Sequence, residues 1–246
     1  MDLGLEGKRA AVSGGSRGLG RAIADALVAE GADVLVAARS TEDLAKLPGM
    51  ATVVADLSTP EGAAALRAAV LAGGERLDIL VCNAGSGRSV PPGQETAAEW
   101  RRVLDVNLFT AIHAVEAVRD LMAPGGAVIC ISSITGQRVL GAPATYSAAK
   151  AAVDALVSNL ARPFAAQGVR IVGVAPGNLI FEGSIWEKKL AEDKRAVDVM
   201  LARDVPQGRL GSPVEIADLV TFLASPRASF ITGTVIRADG GQSGIV

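Results

Sequence analysis

The chain is poor in the residues that do most protein chemistry. Its 246 residues include one tyrosine, one histidine and two cysteines, and aromatic residues make up only 3% of it. With a single histidine, His113, and no Cys/His cluster at zinc spacing, no metal site is expected. His113 lies in a helical stretch and reads as a surface or interface residue. Cys82 in "DILVCNAG" and Cys130 in "AVICIS" sit in apolar runs and read as reduced core thiols, not a disulfide framework. No apolar run reaches the ~18 residues of a membrane span. Neither charge sign dominates: 24 Lys and Arg face 26 Asp and Glu, and no basic stripe appears, which argues against general nucleic-acid binding. The opening "MDLGLEGKRA" has no apolar core of a signal peptide. The expectation is a soluble cytoplasmic protein.

Half of the residues are apolar. With so few aromatics the core has to be aliphatic, which suits a parallel sheet buried on both faces. Short runs rich in Val, Ile, Leu and Ala at 8–13, 33–38, 51–55, 77–82, 126–132, 169–175 and 233–238 predict strands. Helical stretches near 18–30, 61–72, 96–122, 145–167 and 213–224 lie between them. This alternation predicts βαβ units in a single α/β domain over 1–246: a doubly wound parallel sheet of seven strands, a Rossmann fold, with helices on both faces. Residues 177–212 break the rhythm. That excursion exceeds an ordinary strand-to-helix connection and reads as a substrate lid.

"AAVSGGSRGLGRAIADAL" passes from strand through glycines into helix. Gly14, Gly18 and Gly20 space out GxxxGxG, and with Ser16, Arg17 and Leu19 they form a candidate phosphate loop. Glycine leaves no Cβ in the way of a phosphate, and the following helix aims free N–H groups and its dipole at the turn. About ~20 residues further on, an NAD-binding unit carries an acid for the ribose 2′-hydroxyl. Here Ala38 stands there, followed by Arg39. Two guanidiniums without a carboxylate suit a 2′-phosphate. NADP(H) is therefore the preferred cofactor, with NAD(H) the alternative.

Taken in order, "SGGSRGLG", "CNAG" (82–85), "VNL" (106–108), "ISS" (131–133), Tyr146 and Lys150 as YxxxK, "VAPG" (174–177) and "DGG" (239–241) run the length of the chain. In this it resembles the short-chain dehydrogenase/reductase family, and within it the 3-oxoacyl carrier-protein reductases. The resemblance implies a catalytic tetrad of Asn107, Ser133, Tyr146 and Lys150. Ser133, not Ser132, matches because the family's serine lies thirteen residues before its tyrosine. It also implies cofactor contacts from Asp56 and Leu57 at the adenine, from Asn83, Ala84 and Gly85 along the ribose, and from Tyr146, Lys150, Pro176, Gly177 and Leu179 toward the nicotinamide. Structural alternatives stand beside two of these: Asp56 as a turn cap, and Asn107 as the satisfied polar group of a helix kink. Family members are commonly homo-oligomers, tetramers or dimers, here through 96–122 and 145–167 and the C-terminal segment. The implied strand order is 3-2-1-4-5-6-7, and the implied partner is a small carbonyl or alcohol substrate.

The chemistry explains the pairing of Tyr146 with Lys150. On a helix a spacing of four puts both on one face. A neighbouring ammonium is expected to lower the phenol's pKa from its ordinary ~10, so that it exchanges a proton with a substrate oxygen. Three features depart from the family pattern. Phe181 in "PGNLIF" stands where the family has the threonine of PGxxxT, with Ser184 or backbone amides as possible substitutes. Pro163 interrupts the Tyr146 helix and should bend its last turns. Pro124 and Gln167 stand where carrier-protein reductases often have basic docking residues, so a free or CoA-linked substrate is as plausible as a carrier-bound one. Leu179, Ile180, Phe181, Ile185 and Trp186 read either as an apolar pocket wall or as packing of the lid against the body of the domain. The run "EKKLAEDKRAVD" reads as a solvated helix face.

Overall fold

The computed structural model describes residues 2–244. Among these, seven parallel strands form one sheet in the order β3-β2-β1-β4-β5-β6-β7. The strands are β1 (Arg9–Ser13), β2 (Asp33–Ala38), β3 (Ala51–Val54), β4 (Leu77–Cys82), β5 (Met122–Ile131), β6 (Arg170–Pro176) and β7 (Val235–Ala238). All seven sequence-predicted strands are present, in the order the family resemblance implied.

The two-residue period of the strands sorts their side chains onto two faces. Val12, Val36, Ile79, Ile129 and Val172 join one core cluster. The intervening Ala11, Ala37, Leu80, Val128 and Ile171 join a second cluster on the opposite face. The first face is covered by α1 (Gly18–Ala29), through Ile23 and Leu27, and further along the chain by Ile216, Val220 and Leu223 of residues 213–224. Burying each such side chain contributes roughly 1.5–3 kcal/mol, so a two-faced aliphatic core needs few aromatics. Cys82 and Cys130 are register partners across β4 and β5, buried and free as thiols.

A short helix α2 (Thr41–Leu44), which no periodicity announced, follows β2, and α3 (Pro60–Ala72) follows β3. The predicted 96–122 helix is divided: α4 (Ala97–Leu104) passes through a π-helical turn, Asp105–Phe109, into α5 (Thr110–Val118). The long α6 (Ala144–Ala165) runs through Pro163 and ends two residues beyond it. The 177–212 excursion contains α7 (Ile185–Glu192) and α8 (Lys194–Asp204), so its charged run is indeed helical. It is tied at its base, where Gly211 N donates to Asn178 O and Ile180 N to Gly211 O, both at 2.9 Å. The chain then enters α9 (Pro213–Ala224), whose start carries a Ser212–Glu215 capping box and a proline in its first turn. No described helix is long and apolar enough to cross a membrane.

Candidate active site

The carboxyl ends of β1, β4, β5 and β6 converge where the strand order reverses between β1 and β4, the position at which open α/β sheets receive ligands. Ser13 ends β1, and its Oγ accepts from the main-chain N–H groups of Asn83 (2.9 Å) and Ala84 (3.1 Å). Asn83 returns the bond, its Nδ2 donating to the carbonyls of Ser13 (3.2 Å) and Gly14 (3.0 Å). The family resemblance set Asn83 along the ribose and the central sheet; in the structure its side chain straps the glycine loop to the end of β4. Gly14 takes φ +64°, and a Cβ there would lie 2.9 Å from Ala84 Cα. A Cβ on Gly20 would collide with the Gly14 carbonyl and the Asn83 amide.

Six of the described α-helices start with a side-chain cap, and α1, α5 and α6 do not. Side-chain oxygens of Ser40, Thr59, Thr96, Ser184, Asp193 and Ser212 cap α2, α3, α4, α7, α8 and α9. Arg17 precedes α1 with no side-chain cap, and no acid lies in its first turn. The positive end of the dipole is left unneutralised beside the exposed Arg17 guanidinium, a setting that suits an anion. Ser16 is half-buried in this loop, and Leu19 packs against the core.

Arg39 follows β2 and is exposed, its Nη1 3.9 Å from Asp56 Oδ2. Asp56 Oδ1 accepts from Ser58 N (3.0 Å) and Ser58 Oγ (2.6 Å). The Ser58 hydroxyl holds this carboxyl below its usual range. The turn-capping alternative is thus realised at Oδ1, while Oδ2 faces Arg39. Leu57 is buried, and its carbonyl lies 2.9 Å from His113 Nδ1. His113, expected at a surface or interface, is half-buried and tethers α5 to the segment after β3, because its ring nitrogen finds a carbonyl acceptor there.

Asn107 sits in the π-helical turn, only 2% exposed. Its Nδ2 donates to Val103 O and Ser86 O (3.0 Å each), and its Oδ1 accepts from Ser86 N (2.9 Å). The side chain satisfies the widened helix and ties it to the loop after β4. Gly85 fits between two of the candidate catalytic residues: a Cβ there would lie 2.8 Å from Asn107 Oδ1 and 3.4 Å from Lys150 Nζ. Ser86 and Gly87 were missed at the sequence level, although they directly follow the "NAG" that was singled out.

Ser133 is buried after β5, and its Oγ accepts from Thr135 Oγ1 at 3.0 Å. Its neighbour Ser132 donates to the Lys150 carbonyl at 3.2 Å and so holds α6. Lys150 is buried, its Nζ 2.9 Å from the Ile131 carbonyl and 5.8 Å from the Tyr146 ring centroid. Burial pulls its pKa from the ordinary 10.5 down to about 8, opposed in part by the negative charge of Asp154 one turn along. The Tyr146 phenol departs from expectation. Burial pushes its pKa above the ordinary value, and the Ser133 hydroxyl opposes this only in part. Desolvation of the phenolate wins because the ammonium is itself desolvated and engaged with a carbonyl.

Pro176 ends β6, and Gly177 N donates to Ala238 O at 3.0 Å. Leu179 bridges to Gly211 and packs against the core. The apolar residues of the excursion divide. Trp186 packs with Leu190, Val197 and Leu201 inside the excursion itself, against neither a pocket nor the body of the domain. Phe181 lies against the glycine loop: a Cβ on Gly18 would be 2.7 Å from its Cε2. Ile185 lies on the other side, its Cδ1 3.4 Å and Tyr146 Cζ 3.9 Å from where a Gly87 Cβ would be.

A family model described as Enoyl-(Acyl carrier protein) reductase matches residues 14–243. The 3-oxoacyl-[acyl-carrier-protein] reductase FabG of Vibrio harveyi is 38% identical over 250 residues, covering 98% of this chain and 99% of that protein. A tropinone reductase homolog of Arabidopsis thaliana is 34% identical over 248 residues, covering 96% and 92%. The crystal structure of L-sorbose reductase from Gluconobacter frateurii, complexed with NADPH and L-sorbose, superposes with a TM-score of 0.93 at 28% identity over all of both chains. Its fold, its motifs and these relatives together show that the chain is an oxidoreductase belonging to the short-chain dehydrogenase/reductase family.

Proposed function

We propose that the chain interconverts a carbonyl and a secondary alcohol with NADP(H), running as a ketone or 3-oxoacyl reductase. The observation that carries this reading is the grouping of Tyr146, Lys150 and Ser133 across Gly85 from Asn107, at the mouth of a glycine-lined cleft.

The residues present fit a dinucleotide. Gly14 and Gly20 let the loop pack tightly on Ala84 and Asn83, the uncapped start of α1 suits a diphosphate, and Arg17 and Arg39 are exposed cations for a 2′-phosphate. Asp56 near Arg39 keeps NAD(H) as the alternative, since it offsets part of that charge. Bound NADPH supplies the hydride that reduces the carbonyl carbon. The Tyr146 phenol, protonated throughout the neutral range, donates its hydrogen to the carbonyl oxygen and transfers the proton as negative charge grows there. Ser133 donates a second hydrogen bond to the same oxygen. The Lys150 ammonium, below pH about 8, stabilises the phenolate left behind. Asn107 contributes by position, since its side chain is spent on Ser86 and Val103. A raised phenol pKa keeps Tyr146 in the protonated form from which the reductive direction starts.

The substrate side is apolar. Ile185 lies near Tyr146, and Val139 and Leu140 are exposed on the loop between Ser133 and Tyr146. Around Pro124 and Gln167, Gly125 N donates to Gly168 O at 2.7 Å, so these two uncharged positions lie close together, which supports a free or CoA-linked substrate. The same reading includes a cytoplasmic homo-oligomer formed through the α4–α5 and α6 helices, with Trp100 of α4 and Phe109 of the π-helical turn exposed. The deciding experiment follows NADPH absorbance with a simple β-keto ester. Wild type is expected to consume NADPH and Tyr146→Phe to lose nearly all activity; full activity in the variant refutes the assignment.

A further inference from the structure

Phe181 stands on the glycine loop in a way the family pattern does not explain. A Cβ on Gly18 would lie 2.7, 3.1 and 3.3 Å from Cε2, Cδ2 and Cζ of its ring, so one side of the ring rests on the bare Gly18 backbone. Gly18 opens α1 at φ +55°, which places the ring over the helix start that suits an anion. The ring is held from behind by a compact turn. Ser184 N donates to Phe181 O (3.0 Å), Phe181 N to Ser184 Oγ (3.3 Å), and Ser184 Oγ also caps α7 by accepting from Glu187 N (3.0 Å). The residue after Ser184 is Ile185, which rests near Gly87 and Tyr146. One short segment thus touches the β1 loop with one side chain and the β4 loop with the other, spanning the cleft. The ring itself is only half-buried and the turn's Glu182 and Gly183 are exposed, while Ser184 behind them is buried.

We propose that Phe181 is an aromatic plug on the dinucleotide cleft: its ring and the dinucleotide contend for the Gly18 face, and binding moves the 181–185 turn as a unit. This rests on the NADP(H) reading and adds to it a positioning residue that sets cofactor affinity and the rate of entry. A protein whose binding-competent form is a fraction of the whole binds more weakly by that fraction. If the plug is withdrawn in about a tenth to a third of molecules, removing the ring tightens binding about 3- to 10-fold.

The test uses the full-length protein with Trp100→Phe, which leaves Trp186 as its sole tryptophan. Energy transfer from Trp186 to NADPH reports binding at equilibrium and in stopped flow. The expected result is an observed rate that saturates with NADPH concentration when Phe181 is present. Phe181→Ala should abolish the saturation and tighten Kd about 3- to 10-fold, with Phe181→Leu in between. Binding to Phe181→Ala at the same rate and affinity as its parent, or more weakly, overturns the plug and leaves the cofactor reading intact. Failure of NADPH and NADH to bind the parent and Phe181→Ala alike overturns the cofactor reading and the plug with it.

Discussion

Replacing Lys150 by methionine should stabilise the protein near neutral pH while removing its activity. Lys150 is 4% exposed, and burial pulls its pKa from 10.5 to about 8. At ~1.4 kcal/mol per pH unit, that drop corresponds to about 3 kcal/mol of penalty on the charged form. Below pH about 8 both folded and unfolded chains carry the proton, and the folded state bears the whole penalty. Between about 8 and 10.5 the unfolded chain still carries it while the folded one has released it, so stability rises with pH. Methionine has similar bulk and no charge, but it leaves the Ile131 carbonyl without the partner now at 2.9 Å. An unmade buried hydrogen bond costs ~1–3 kcal/mol. The net expectation is a gain of about 0–2 kcal/mol near neutral pH, up to roughly 8 °C in Tm for a chain of this size, turning into a loss of about 1–3 kcal/mol above pH ~10. Calorimetry or circular-dichroism melts at the two pH values, at one fixed protein concentration, measure both signs. A Lys150→Met variant that is destabilised equally at both would refute the reasoning, because it would mean the ammonium is compensated in place and carries no burial penalty.

The same lysine predicts a pH profile: reductive kcat/KM should be flat below neutrality and decline above pH about 8 as Lys150 loses its charge, and Lys150→Arg should move that decline upward if it retains activity. Steady-state rates across pH check this, and a decline only above pH ~10 would assign it to the phenol instead. Tyr146→Phe should cost ~10²–10⁴-fold in kcat with NADPH binding unchanged, measured by turnover and by fluorescence titration. Arg39→Ala should weaken NADPH binding about 10- to 100-fold and leave NADH nearly unaffected, the loss of one charge-assisted hydrogen bond to a phosphate; equal losses for both would remove Arg39 from the 2′-phosphate role. Asn107→Ala should lower Tm by several degrees, since it orphans Ser86 N, Ser86 O and Val103 O inside the fold.

Most of the sheet was legible because it is written in local patterns. Each strand is a short run of aliphatic residues between helices, and both faces are buried, so every position in β1 from Ala10 to Val12 had to be apolar. The candidate catalytic residues were legible because their spacing along the chain is short: Ser133, Tyr146 and Lys150 lie within one β–α unit. What was not legible depends on distance in sequence or on burial. The direction of the Tyr146 shift could not be read from the motif, because the spacing of four fixes only which face Lys150 shares, whereas the burial of that face decides that desolvation outweighs the Ser133 hydrogen bond. The strap made by Asn83 was not legible either, because it depends on Gly14 and Gly20 letting the loop come within reach of its amide. The contact of Phe181 with Gly18 joins residues far apart in the chain, and nothing in "PGNLIF" says which way the ring turns. The substitution of phenylalanine for threonine was visible from the first reading, but only the fold reveals that it puts an apolar ring on the backbone a phosphate would need. The pattern break and the physical conflict are therefore the same residue, and its removal should be felt in cofactor binding before it is felt in the chemistry at Tyr146.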